Sequence, residues 1–146
     1  MAAGTWTLYN NARSKIVDGT INLATAVLRC KLYKDGAADI SLSTNSVLGQ
    51  ITTSGVVNIS AYTLSGVDIT AIAGSATHKF TANNLVFSAS GGDATSIQYA
   101  VVYASGASAN ASQLLMWCKL STAVFTVTDG NTLTITTPTN GFFVIY

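Results

Sequence analysis

Glutamate is absent from this sequence, and its only acids are six aspartates, set against five lysines and two arginines. Charged residues make up 9% of the chain, where roughly a quarter is usual. One histidine, one proline and two cysteines complete the list of shortages. No apolar run reaches the length of about eighteen residues needed to cross a bilayer. Each shortage excludes something. The formal net charge is +1, and the basic residues are scattered. The densest group, Arg29, Lys31 and Lys34, is followed directly by Asp35 and Asp39. Nucleic acid, whose phosphates demand a clustered basic surface, is therefore not an expected partner. A membrane is not expected either. The opening MAAGTWTLYNNARSK has neither a basic n-region nor an apolar h-region, so no secretory signal is read there. Without export, the sequons at Asn58 and Asn110 carry no weight.

The titratable inventory is too thin for catalysis, which needs such groups to converge. His78, in ATHKF, has no nucleophile or carboxylate signature beside it and reads as a surface strand residue. One histidine and two distant cysteines cannot supply a zinc site. Asp18, Asp35, Asp93 and Asp129 each adjoin a glycine, the chemistry of turns. Asp35 and Asp39 in KDGAADI faintly resemble a calcium loop but lack its later acidic ligands. SASGGDATS has neither the Walker nor the dinucleotide spacing. The expectation is no enzyme, no cofactor and no metal.

What is present is 49% apolar residues alternating with threonine and serine. Trp6, Tyr9, Ala12 and Ile16 recur at helical spacing, which predicts one helix over about Thr5–Val17, stopped at Gly19. Everything later reads as strands: Ala26–Tyr33, Val56–Ile59, Val67–Ile72, Thr77–Thr81, Asn84–Ser88, Ile97–Tyr103 and Gln113–Leu120. TAVFTVT, then Asp129-Gly130-Asn131, then TLTITTP predicts a hairpin ended by Pro138. GFFVIY predicts an apolar terminal strand that must be covered within the fold or paired with another subunit. Cys30 and Cys118 read as reduced, buried residues that could face each other across neighbouring strands. The fold class is all-β, a β-sandwich or jelly roll with one short N-terminal helix or arm (residues 1–19). One domain spans 1–146. Low charge joined to abundant aromatics is the composition of a chain packed against neighbours, since interface cores are depleted in charge. Thirteen aromatics could instead stack on carbohydrate, but core and interface burial is the commoner use.

In order along the chain come Thr5-Trp6, Tyr9-Asn10, Arg13 and Lys15, then Gly19-Thr20-Ile21 and Leu23. Lys31-Leu32-Tyr33, Tyr62-Thr63 with Gly66, and Phe80 with Ala89-Ser90-Gly91-Gly92 follow. Tyr99-Ala100-Val101 and Tyr103, and a final Asp129-Gly130-Asn131-Thr132, complete the series. This succession resembles a family of small tailed-bacteriophage virion structural proteins, of the head decoration type. Asn84, Phe87 and Gln98 depart from the family pattern, where an acidic residue, Trp and Arg are usual. The resemblance implies a capsid decoration (cement) protein on the outer head surface, made in the host cytoplasm. Its partners would be the major capsid protein and itself, as a homotrimer. The residues assigned to those contacts are Trp6, Tyr9, Arg13, Lys15, Phe142, Phe143 and Tyr146. The alternative is a tail- or fibre-associated virion protein that binds a receptor or glycan through loops 88–96 and 104–112.

Overall fold

A computed structural model describes residues 4–35, 39–41, 44–75 and 77–145. The chain is all-β, with one short helix. In order run β1 (Thr7–Leu8), α1 (Asn10–Val17), β2 (Leu28–Lys34), β3 (Tyr62–Thr63), β4 (Asp68–Ala71) and β5 (His78–Thr81). Then come β6 (Leu85–Ser88), β7 (Ala94–Ala104), β8 (Gln113–Lys119), β9 (Phe125–Val127), β10 (Thr132–Ile135) and β11 (Phe143–Ile145). The expected pair of facing sheets resolves into three hydrogen-bonded groups. A six-stranded sheet has the order β1-β8-β7-β2-β3, with β9 also on β7; the others are β11-β5-β4 and β10-β6. Every strand pairing is antiparallel.

β7 organises the core. Its Ala100, Val101 and Val102 are fully buried, as a strand covered on both faces requires, and such a strand reads as a continuous apolar run. On one face, Cys30 pairs with Val102 and Ala100 with Cys118. The two cysteines therefore flank β7 on separate strands, buried and free. Segment 44–56 runs from β8, where Val47 bridges Gln113, to β2, where Gly55 bridges Tyr33. Asp39 pins this segment. Its carboxylate accepts hydrogen bonds from the backbone N–H and the hydroxyl of both Thr52 and Thr53.

Three sequence expectations are corrected. The helix starts at Asn10, not Thr5: Tyr9 is extended (φ −65°, ψ 143°) and donates its N–H to the Leu115 carbonyl at 3.1 Å. Pairing of β1 with β8 satisfies backbone groups that helix would otherwise have to satisfy. The Asp129-Gly130 turn exists, with Gly130 at φ +78°. Its two strands do not pair with each other, however: β9 joins β7 and β10 joins β6. Val56–Ile59 is not a strand; only the isolated bridges at Gly55 and Ile59 form there.

Candidate assembly groove

The two ends of the chain meet. Trp6 packs edge-on against Phe142 with ring centroids 5.1 Å apart. Phe142 leans on Phe80 at 5.9 Å, and Phe80 stacks on Phe143 at 4.9 Å. Such edge-to-face and offset pairs follow from the ring quadrupole. The cluster fixes β11 beside the start of the chain, and α1 closes the third side.

This junction leaves a groove of about 360 Å³ lined by Leu8 of β1, Arg13, Ile16 and Val17 of α1, and β11. Val17 is 88% exposed. A second hollow, sharing Ile16 and Ile145 with the first, extends the apolar floor to Ile21, Leu23 and Ile69. β11 pairs with β5 along one edge only, and β1 with β8 along one edge only. The groove thus joins an apolar floor to two strand edges without backbone partners among the described residues.

The seven residues assigned from the sequence divide sharply. Arg13 and Phe143 line the groove. Tyr9 is fully buried, which corrects its assignment, while Trp6 and Phe142, at 7% and 5% exposure, reach the surface only at the floor of a separate hollow with Gly4, Thr5, Pro138 and Gly141. All three rings are consumed inside the chain. The Tyr9 hydroxyl donates to the Ile40 carbonyl at 2.7 Å; its burial, with Tyr33 and Asp39 nearby, pushes its pKa up. Trp6 keeps a buried indole N–H without a partner among the described residues. Lys15 turns away to bind the Ser46 carbonyl (3.2 Å) and the Gln113 side chain, and desolvation lowers its pKa. It ties α1 to segment 44–56 and to β8. Tyr146 lies outside the described residues.

Sequence reading reached Leu8, Val144 and Ile145 only as parts of the arm through Lys15 and of the terminal strand, and missed Ile16 and Val17 as groove residues. Arg13, Ile16 and Val17 stand at i, i+3 and i+4, so one helical face was available as a signal. The facing strand is distant in sequence, and no local pattern announces the meeting.

The groups with raised pKa values, Tyr9, Cys30, Tyr33, Tyr103 and Cys118, are raised first by burial. That makes them poor proton donors and poor nucleophiles. Exposed His78 stands on β5 opposite Ile145 and Ala71. Among the described residues, no three His, Cys, Asp or Glu side chains gather as a metal site, and no helix is long and apolar enough to cross a membrane. The groove has apolar walls, one cation at the rim and open backbone edges among the described residues. No protein-family model, curated protein or solved structure matches the chain.

Proposed function

We propose that this chain is a structural subunit of a tailed-phage particle, a head decoration protein that cements the shell by being buried in it. The observation that carries the reading is the continuous apolar groove between α1, β1 and β11, on a chain whose charged fraction is only 9%. A specific interface buries roughly 1,200–2,000 Å² in total, and the chain exposes 7119 Å², so one such contact uses a modest share of its surface. The partner strand or loop fills the groove, and Arg13 meets a carbonyl or carboxylate at the rim. Copies of the chain around a lattice junction, or the major capsid protein beneath them, provide that filling.

The test is co-sedimentation with purified heads assembled without this protein, together with light scattering of the protein alone. Wild type should pellet with heads. A Val17→Asp, Ile145→Asp variant should stay in the supernatant at matched folding, because an unpaired charge buried at an interface is strongly unfavourable. If wild type ignores heads and binds purified tails, the tail-associated reading replaces this one. If the double variant sediments like wild type, the groove is not the contact.

A further inference from the structure

One face of the six-stranded sheet is a cation–aromatic surface that the linear sequence disguises. Cα partners share a face, so the ladders can be read across. One row runs Lys119–Tyr99–Tyr33, the next Trp117–Val101–Lys31, and the third joins Tyr103 to Arg29. Arg29 and Lys119 are exposed and Lys31, Tyr99 and Trp117 half-buried, while Tyr33, Val101 and Tyr103 between them are buried, so the accessible part of the face is a cationic rim around a covered centre. β2, β7 and β8 carry no aspartate at all. Asp39 lies within electrostatic reach of Tyr33, but its oxygens already take four hydrogen bonds from Thr52 and Thr53. With a net charge of only +1, the rest of the molecule is on balance acidic, so this face stands out electrostatically.

The cations are also pre-placed. The Lys31 ammonium lies 5.3 Å from the Tyr33 ring centroid and that of Lys119 5.7 Å from Tyr99. Holding long side chains over rings reduces the rotamer entropy that a partner must otherwise overcome.

We infer that this face docks an acidic polypeptide segment of a partner protein, its carboxylates meeting Arg29, Lys31 and Lys119 across the rows. The inference goes beyond the groove and does not depend on the head-decoration reading. Two observations select this occupant. Tyr33 is buried and the Lys119 ammonium lies over the Tyr99 ring, so among these aromatics Trp117 alone is left for a nucleic-acid base to stack on, too few for a stacking platform. A second copy meeting the same face would set like charges against each other, which is destabilising.

The test uses the full chain with labelled poly-L-glutamate, read by fluorescence anisotropy and by emission of Trp117. Trp117 is the half-exposed one of the chain's two tryptophans. Wild type should bind, with a shift in Trp117 emission, and raising ionic strength from about 0.05 to about 0.3 M should weaken binding severalfold. An Arg29→Gln, Lys31→Gln, Lys119→Gln variant should bind about tenfold more weakly, roughly twofold for each charge removed. Lys119→Gln alone, at an exposed site, guards against misfolding of the triple variant and should bind more weakly by about twofold. Absence of binding by wild type, equal binding by the variants, or tighter binding of an oligo(dT) of equal charge each overturns the proposal.

Discussion

Replacing Phe80 with alanine tests whether the aromatic cluster joining the two ends of the chain belongs to the cooperative core. Phe80 is fully buried and sits on β5, between β4 and β11. Its ring stacks on Phe143 with an interplanar angle of 15° and tilts against Phe142. Removing a buried phenylalanine ring costs about 3–5 kcal/mol, and a lost aromatic pair adds roughly 0.5–1.5 kcal/mol. The expected loss is therefore about 3.5–6.5 kcal/mol, a large part of the roughly 5–15 kcal/mol that folds a domain. At about 2–4 °C per kcal/mol for this chain length, the midpoint should fall by about 7–26 °C. Urea unfolding followed by tryptophan emission is the assay, because Trp6 rests on Phe142 and reports the same cluster. Val17→Ala, at a position 88% exposed, is the control and should change stability by less than about 0.5 kcal/mol. A loss below about 1 kcal/mol for Phe80→Ala would refute the reasoning, since the terminal strand would then be stitched on rather than folded in.

Three further outcomes follow from local chemistry. Burial alone would raise the Asp39 carboxyl, yet the donors of Thr53 and Thr52 outweigh it and bring it from 3.8 down to about 2. A folded-state pKa below the unfolded one gives stability that is present above the unfolded value and lost as pH falls through the folded one. Urea midpoints should accordingly decline between about pH 4 and pH 2, by about 1 kcal/mol after solvent screening, and Asp39→Asn should flatten that decline. Burial pushes the Cys30 thiol up strongly and Cys118 up to about 12, so a thiol-disulfide reagent at pH 8 should titrate neither until the protein is unfolded, when it should find both. Ser96 holds φ +61°, where a non-glycine residue is strained; Ser96→Gly should raise stability by about 0.5–1 kcal/mol, read as a higher thermal midpoint.

The sequence made the longer strands legible, missed the two-residue β1 and β3, and left the strands' partners illegible. A period of two says which side chains share a face, and the apolar–hydroxyl alternation around Asp129-Gly130 placed β9 and β10 correctly as strands. Nothing in that alternation says that Ala89 accepts from Gly130 and donates to Asn131, which ties the turn to the end of β6 and sends the two strands to different sheets. Trp6 and Tyr9 fit a helical period equally well as an extended arm, and only the backbone of β8, over a hundred residues later, decides between them. The candidate surfaces show the same limit. Arg13 and Phe143 were readable as an arm and an apolar terminal strand, but Leu8, Val17 and Ile145 became groove residues only through their meeting. Arg29, Lys31 and Lys119 looked like scattered charges until the register of β2, β7 and β8 put them on one face.

The sheet edges give the strongest reason to place a partner at β11. An unpaired edge invites another strand, and folded chains blunt their edges by keeping them short or polar. Here β3 is a two-residue edge, and β4 is exposed throughout and carries Asp68 and Thr70. β10 alternates Thr132 and Thr134 with buried Leu133 and Ile135. β11 follows none of these devices. Its Phe143, Val144 and Ile145 are half-buried, uncharged, and flanked by Leu8, Ile16 and Val17. A chain that keeps these three edges short or polar and leaves β11 beside its most exposed valine has an edge suited to being covered in an assembly. That occupant has to supply both a strand, for the open backbone groups, and apolar side chains, for the floor.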